Sequence, residues 1–249
     1  MSSVQSIRRA FDVLGTLGDG PLGVTEVADR AGLPKSTAAR LLATLVAEGA
    51  VEQVPGDTSY RLGARLITLS AGFSLARSLA AIARPMLMDL AEASGEAAGL
   101  GLPDGDLVRY VDQVDTVHPV LVRDWTGVRA PLHAVSSGQV LLAFRAPAAI
   151  ERYLEKPMER FTERTLVDAE AVRERLREIR RRGFTWAIEE FDAGISSVAA
   201  PIADASGEVI AAVHVHGPSY RFPTAGSEAE LAQLVLAGAA RIAAGLRET

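Results

Sequence analysis

Apolar residues recur every three or four positions at the start of the chain. This spacing is typical of a helix with one buried face, and it is formed by Val4, Ile7, Phe11 and Leu14. A second, shorter helix is predicted over residues 24–31, with Thr25 as its N-cap because a hydroxyl accepts a hydrogen bond from a free backbone amide. Gly32 and Pro34 then form a tight turn into a third helix, which we expect to end at Glu48.

Two short strand-like runs, residues 50–54 and 59–62, flank a Pro-Gly-Asp turn after the third helix. Three helices followed by a β-hairpin is the order of elements in a winged helix-turn-helix. The small or core-facing residues that let the second and third helices pack closely also have the spacing of that motif, and they are Val24, Ala28, Gly32, Ala38 and Leu41. We therefore predict a winged helix-turn-helix DNA-binding domain over residues 1–63, the alternative being an ordinary helical hairpin.

In the rest of the chain the pattern of apolar and polar residues changes at two points. Residues 64–84 are rich in small apolar side chains and predict a linker helix, packed on its own domain or on a second copy, with a break or new start at Pro85. Beyond it, strand-like runs alternate with helices that start near Ser136, Asp168 and Ala229; the runs lie near 97–102, 107–114, 117–122, 184–188, 196–203 and 208–216. Hairpin-like spacing of this kind predicts an antiparallel α+β domain over residues 85–249.

The third helix has a polar face opposite its leucines. An outward residue near the N-terminus of a recognition helix reaches base edges in the major groove, so Arg40 is predicted to pair with guanine. Lys35 and Arg61 suit phosphate contacts that fix the register. The predicted DNA-contacting residues are Thr25, Lys35, Ser36, Thr37, Arg40, Thr44 and Arg61. The alternatives are helix capping for the hydroxyl residues and a solvated surface charge for the arginine.

Composition narrows the function classes. The chain has 249 residues, 26 Lys and Arg against 31 Asp and Glu, a net charge of −5 and no cysteine. The lack of cysteine excludes a disulfide scaffold, a cysteine zinc site and a cysteine nucleophile. The first residues lack the apolar run of a signal peptide, and the most apolar stretch, residues 231–246, is interrupted by Gln233 and Arg241. We therefore expect a cytoplasmic protein with no membrane segment.

A candidate ligand site lies near the helix predicted to start at Ser136. Free backbone amides and the positive end of the helix dipole suit a carboxylate there, unless Ser136 only caps its own helix. On the last predicted strand, His214 and His216 share the face opposite the valines, so they point into water or into a cavity. They predict hydrogen-bonding groups for an anionic or phenolic effector. The alternative is a metal-binding sensor or an enzyme that uses His133, His214 and His216.

The motifs, taken in order, resemble the IclR family of bacterial transcriptional regulators. The resemblance rests on Leu33-Pro34-Lys35-Ser36-Thr37, Arg40-Leu41-Leu42, Tyr60-Arg61-Leu62-Gly63, Pro131-Leu132-His133-Ala134, Gly183-Phe184, Glu189-Glu190, residues 194–201 and His216-Gly217-Pro218. It implies a winged helix-turn-helix, a linker helix and a C-terminal effector-binding domain of GAF-like α/β fold with an antiparallel sheet. It also implies a homodimer or tetramer on a palindromic double-stranded DNA operator, with no catalytic residues, metal or cofactor.

The resemblance also implies where an effector binds, and this chain departs from the family there. In the family, the residues matching Ser136 and Ser137 donate backbone amides to the effector's acid group. A common cysteine is replaced by Ser197, an acid by Ala187, and serines on the last strand by the two histidines. These changes favour a larger, aromatic carboxylate or phenol. The predicted ligand-binding residues are Trp125, His133, Ser136, Ser137, Gly138, Ala187, Ser197, His214 and His216.

Overall fold

The chain divides into two units, Met1–Ser74 and Leu75–Thr249. The computed structural model describes residues 5–66, 75–116, 118 and 123–248. The predicted strand over residues 117–122, residue 118 apart, and most of the first half of the predicted linker helix lie outside the described residues. Residues 75–84, which were predicted to belong to that linker, lie in the same unit as the C-terminal residues.

The N-terminal unit has the predicted order of three helices and a β-hairpin. Its elements are α1 Gln5–Thr16, α2 Val24–Arg30, α3 Lys35–Ala47, β1 Val51–Gln53 and β2 Tyr60–Leu62. The two strands pair antiparallel, with Val51 opposite Leu62. Gly32 and Gly49 both adopt positive φ, +63° and +72°, where a residue without a Cβ turns the chain at least cost. The order of elements confirms the winged helix-turn-helix.

Two local predictions for this unit are wrong. The apolar side of α1 is not its buried side: Ile7 and Phe11 are 57% and 69% exposed, whereas Val13 is fully buried. The N-cap of α2 is Gly23 rather than Thr25, because the Glu26 carboxylate accepts the Gly23 amide at 3.0 Å and closes the first turn. Val4 lies outside the described residues.

The second unit is a six-stranded antiparallel sheet with helices on both faces. Its helices are α4 Leu75–Ser94, α5 Ser136–Ala143, α6 Pro147–Leu154, α7 Ala169–Arg182 and α8 Glu228–Glu248. Its strands are β3 Ala97–Asp104, β4 Leu107–Val114, β5 Arg129–Pro131, β6 Thr185–Ile188, β7 Ile195–Ala203 and β8 Val209–Pro218. The order across the sheet is β5-β4-β3-β8-β7-β6, and every neighbouring pair is antiparallel. The predicted α+β architecture is therefore confirmed.

Each face of this sheet has its own core. Helices α4 and α8 cover one face, where Leu87 and Ile242 pack with Val213 and Val215 of β8. Helices α5, α6 and α7 cover the other face, on the side of β8 that carries Ala212. Burying both faces explains why β8 shows valines alternating with histidines rather than apolar residues alternating with solvated ones.

Pro85 does not interrupt α4, which contradicts the predicted break. The helix is continuous from Leu75 to Ser94 with the proline inside it. Both Pro85 and Ala81, whose carbonyl the missing N–H would have bonded, are exposed, so the unpaired carbonyl lies on the solvent side of the helix. On the opposite side of the helix, Leu79, Ala83 and Leu87 are fully buried in the core and keep the helix intact.

Helix α8 is long and apolar enough to cross a membrane by length and composition alone. Its apolar side is nevertheless occupied within this unit, since Val235 and Ile242 are fully buried against the sheet and α4. Arg241 forms a 2.8 Å ion pair with Asp89 of α4 on the other side. Core packing therefore accounts for the hydrophobicity of this helix.

Gly138 tests how tightly α5 is packed. A Cβ at this position would lie 2.6 Å from the Leu132 Cα and 2.7 Å from the Leu132 carbonyl oxygen, and backbone cannot yield as a flexible side chain would. We expect Gly138→Ala to lower the free energy of unfolding by about 1–3 kcal/mol, as overpacking does. Denaturant unfolding followed by circular dichroism measures this loss.

Gly15→Ala is the matched control, because Gly15 lies in α1 and has no atom within 4 Å of the added methyl. Alanine is the better helix former, so this variant should be neutral or more stable by up to about 1 kcal/mol. Equal destabilisation by the two substitutions would contradict the packing argument.

Candidate functional site

A cavity opens between the sheet and the start of α5. The space between its walls is about 430 Å³, and this volume includes the part that is open to solvent. Apolar and aromatic side chains form most of its wall, from Tyr110, Trp125, Ala134, Val135, Ala187, Phe191 and Ile195. The polar groups of the wall are Glu190, Asp192, Ser197, His214 and His216. An apolar cavity with a few converging polar groups is the usual form of a small-molecule site.

The two histidines of β8 are the least satisfied polar groups in this wall. His214 and His216 are only 4% and 3% exposed, with ring centroids 5.3 Å apart. Neither nitrogen of His216, nor Nδ1 of His214, has a hydrogen-bond partner among the described residues. Buried polar groups in folded proteins are nearly always paired, so three unpaired nitrogens make this wall a candidate site for a group that completes their hydrogen bonds.

Burial also fixes the charge of these rings. Loss of solvation lowers the pKa of His216 to about 4, even though Asp115 and Asp124 lie close enough to favour its charged form. Burial and the neighbouring His216 hold the pKa of His214 well below its ordinary value. Both imidazoles of the empty cavity are therefore neutral at neutral pH.

A glycine makes room for His214. A Cβ at Gly99, on the neighbouring strand β3, would lie 2.6 Å from the His214 Cε1 atom. The Tyr110 ring of β4 also contacts this imidazole, with the two ring centroids 5.0 Å apart. The imidazole therefore packs against residues of both β3 and β4.

The start of α5 lies beside the cavity with its amides free of side-chain caps. Its N-cap is Val135, which has no side-chain acceptor, and Val135 itself lines the cavity. Ser136 does not cap the helix, because its hydroxyl donates to the Ser197 hydroxyl at 2.8 Å. The Ser137 hydroxyl oxygen lies 3.1 Å from the Tyr110 hydroxyl oxygen. Burial raises the pKa of the Tyr110 phenol to about 12. The uncapped first turn is suited to an anion.

The segment after β6 closes another side of the cavity. Glu189 adopts φ +55°, uncommon for a residue with a side chain, and its carboxylate accepts the Gly194 amide at 3.2 Å. Phe191 packs between Trp125 and Phe161, with ring centroids 5.8 and 4.8 Å away. β6 ends at Ile188, so Glu189 and Glu190 lie in this turn and not on the strand.

Glu190 is a buried carboxylate with two donors. Its oxygens accept from Arg175 of α7 at 3.0 Å and from Gln139 of α5 at 2.6 Å. Burial raises the pKa of Glu190, against the opposing effect of Arg175 and Gln139. This network joins the cavity wall to two helices.

The structure places His133 apart from the other two histidines of the predicted cluster. Its Nδ1 lies 2.9 Å from the Tyr153 hydroxyl and its Nε2 lies 2.9 Å from the Glu159 carbonyl oxygen, so both ring nitrogens are partnered. His133 does not line the cavity. Gly138, another predicted ligand-binding residue, packs on the Leu132 backbone. The described part of the chain contains no group of three His, Asp or Glu residues placed to hold a metal ion. The geometry therefore does not support the alternative of a metal-binding sensor or an enzyme that uses His133, His214 and His216 together.

Sequence reasoning missed several wall residues. Tyr110 follows the alternation of β4, in which positions 108 and 110 are buried, so the strand pattern contained the signal. Glu190 was named only as part of the Glu189-Glu190 motif of the family resemblance, and not as a wall residue. Phe191 and Asp192 lie in a turn with no periodicity, and no sequence signal points to them.

The polar face of α3 forms a second candidate surface. Lys35, Ser36, Arg40 and Thr44 are exposed, Thr37 is half-buried, and Thr25 is exposed in the first turn of α2. The Thr44 hydroxyl donates to the Arg40 carbonyl oxygen at 3.0 Å. Arg61 forms a 2.7 Å ion pair with Glu52, whereas neither Lys35 nor Arg40 has an ion pair among the described residues. Lys35 and Arg40 are therefore the available cations of this face.

Comparisons with known proteins match both units. A family model described as the IclR helix-turn-helix domain matches residues 6–55, and one described as bacterial transcriptional regulator IclR C-terminal matches residues 75–244. The glycerol operon regulatory protein of Streptomyces griseus is 37% identical over 232 residues, which are 91% of this chain and 90% of that protein. The HTH-type transcriptional regulator BhcR of Paracoccus denitrificans is 36% identical over 224 residues, 89% of this chain and 80% of BhcR.

A solved structure is also similar along the whole chain. It is an IclR homologue from Microbacterium hydrocarbonoxydans in complex with 4-hydroxybenzoate, with a TM-score of 0.66 at 28% identity. The match covers 98% of this chain and 100% of that one.

The buried Glu190 provides a pH-dependent test of the cavity wall. Folding raises the pKa of the Glu190 carboxyl. The folded protein therefore loses stability as the pH rises from the pKa of this group in the unfolded chain through its pKa in the folded one. Arg175→Met removes the compensating charge, so we expect a loss of about 3–5 kcal/mol at neutral pH and a smaller loss near pH 5. Denaturant unfolding at the two pH values measures the difference.

Arg173→Met on the same helix is the matched control. Arg173 pairs with Glu151 and Glu170, which are both exposed, so its removal should cost no more than about 1 kcal/mol. An Arg175→Met variant that loses more stability at pH 5 than at neutral pH would contradict the assignment of the buried carboxylate.

Proposed function

Since this chain belongs to the IclR family of bacterial transcriptional regulators, we propose that it binds a palindromic operator as a dimer or tetramer and releases or engages it in response to a small aromatic acid. The helix-turn-helix reads DNA in the cytoplasm, and the C-terminal domain holds the effector. An effector of this kind acts by binding two arrangements of the protein with different affinity.

The observation that carries the effector proposal is the pair of unpartnered imidazoles in the aromatic-walled cavity. A flat ring suits the aromatic wall formed by Tyr110, Trp125 and Phe191, and the uncapped start of α5 at Val135, which also lines the cavity, suits a carboxylate. The opposite polar group of a phenolic acid would then meet His214 or His216. The 4-hydroxybenzoate bound to the Microbacterium hydrocarbonoxydans homologue supports a ligand of this class.

The proposed oligomer has support in the N-terminal unit. Ile7 and Phe11 lie one helical turn apart on α1, and both side chains are largely exposed. A second copy of the chain would cover this apolar surface. A two-fold dimer requires two half-sites, which is the symmetry of a palindromic operator.

We expect Arg40→Ala to weaken operator binding more than tenfold, because the α3 face loses one of its two available cations and a base contact. The slope of log affinity against log salt should fall by about one for each phosphate contact removed, so a Lys35→Ala variant should show that smaller slope. Fluorescence anisotropy with the protein's own upstream DNA over a range of salt concentrations measures both effects.

Arg152→Ala is the control, since Arg152 lies in α6 of the other unit and its removal changes the net charge equally. Affinity unchanged by Arg40→Ala would contradict the assignment of α3 as the recognition helix. Effector affinity should be the same in all three variants.

The cavity is tested by filling it. Ala187 lines the cavity and is 4% exposed, so Ala187→Phe would occupy the space of the ligand ring. We expect this variant to bind the operator but to show no thermal shift with benzoate, 4-hydroxybenzoate or related acids, and no ligand-dependent change in DNA affinity.

Ala187→Ser keeps the space open and is the matched control. A thermal shift that survives in Ala187→Phe would show that the acids bind elsewhere. If none of the acids stabilises the unaltered protein, an aromatic acid is not its effector.

A further inference from the structure

We propose that the cavity binds its acid together with one proton, which the His214–His216 pair takes up from solvent. The proposal rests on the proposed function, because it concerns how that same cavity receives an acid. In this step a solvated proton adds to the lone pair of one imidazole nitrogen, and the bound acid keeps its carboxylate. The complex therefore differs from its separate components by one proton gained.

The first argument is the charge of the cavity wall. No lysine or arginine lines the cavity among the described residues, and its two charged side chains, Glu190 and Asp192, are both acidic. Two arginines lie behind the wall, where Arg175 pairs with Glu190 and the exposed Arg123 guanidinium lies 3.9 Å from the centre of the Trp125 ring. With Glu190 balanced by Arg175, an anion entering this space meets the Asp192 carboxylate and the partial positive charge of one helix end. Proton uptake supplies a full positive charge within the wall itself.

The second argument is the hydrogen-bonding capacity of the two rings. A neutral imidazole has one donor and one acceptor, and an acceptor turned towards a carboxylate is repelled. A protonated imidazole has two donors, so both nitrogens can face anionic or phenolic oxygens. With three nitrogens unpartnered, the pair can rearrange its donors without breaking an existing hydrogen bond in the protein.

The surroundings single out His216 as the residue that carries the proton. His214 faces Tyr110 and His216, neither of which bears a charge near neutral pH. His216 lies near Asp115 and Asp124, whose negative charges favour the imidazolium against the effect of burial. An anion bound in contact adds to that attraction, which raises the affinity of this ring for a proton in the complex.

The sign of the pH dependence follows directly. In the empty cavity both rings have lost their protons well below neutrality, His216 at a pKa of about 4. The complex binds one more proton, so affinity increases as pH falls, by up to about tenfold per pH unit between the free and bound pKa values. Near neutral pH the phenol of Tyr110, with a pKa of about 12, stays neutral, and the pKa of Asp124 is lowered, so neither accounts for the effect.

Isothermal calorimetry on the full-length protein tests this proposal. 4-Hydroxybenzoate and benzoate are titrated at neutral pH in HEPES and in Tris, whose ionisation enthalpies differ. The difference in observed heat gives the number of protons taken up per acid bound. Because a neighbouring charge shifts a pKa by about 1–3 units, we expect a fractional uptake at neutral pH that increases, with tighter binding, as the pH falls towards 6. Benzamide, an uncharged analogue, should bind without proton uptake.

Histidine variants locate the proton. We expect His216→Gln, which keeps a hydrogen-bonding side chain that does not titrate, to abolish proton uptake and flatten the pH dependence. His118→Gln is the control, because His118 is exposed and does not line this cavity. Proton uptake that persists when both His214 and His216 are glutamine would overturn the assignment to these residues.

The outcomes separate the two levels of proposal. Acid binding by the unaltered protein with no proton uptake as the pH falls from neutral towards 6 overturns the proton-linked site and leaves the proposed function standing. Failure of every carboxylic acid in the panel to bind overturns both. The measurement on unaltered protein decides the matter even if a histidine variant does not fold.

Discussion

The buried, unpartnered histidines of β8 are the constraint on which the arrangement of the second unit depends. A buried polar group without a hydrogen bond costs about 1–3 kcal/mol, and this cavity holds three such nitrogens. A fold keeps such groups only when the rest of its core over-determines their position. Here Val213 and Val215 anchor the opposite face of the same strand among α4 and α8. Because side chains alternate along a strand, fixing the valines on one face fixes the imidazoles on the other.

Much of the fold could be predicted because its signals are local. The alternation along β8 predicted both of its faces. A helix was also predicted to start near Asp168, and this residue is the N-cap of α7, where its carboxylate accepts the Ala171 amide at 2.9 Å. Periodicity, however, reports only that a face is apolar, not what covers it. Ile7 and Phe11 show this limit, since they are exposed despite their helical spacing. Pro85 shows another, because its effect depends on whether it faces solvent.

The cavity was harder to predict because its walls come from distant segments. The family resemblance pointed to residues on β6, β7 and β8 that line the cavity, and to residues of α5 that do not. It could not exclude His133, whose partners Tyr153 and Glu159 lie 20 and 26 residues further along the chain. Phe191 reaches the wall because Glu189 turns the chain with a positive φ and because the Phe191 ring packs against Phe161. Such placements depend on long-range packing, and no local pattern of residue types records them.

Charge has a different meaning in the two units. In the N-terminal unit two arginines form local ion pairs, Arg61 with Glu52 and Arg65 with Glu48, so a count of cations overstates what DNA can use. In the C-terminal unit the two charged residues that line the cavity, Glu190 and Asp192, are both acidic, and Arg175 pairs with Glu190 from behind the wall. An acid effector of the kind proposed would therefore meet no lysine or arginine among the described lining residues. Under that proposal its charge is met by backbone amides and by imidazoles that become protonated when it binds, because unpartnered imidazoles can gain a proton near neutral pH.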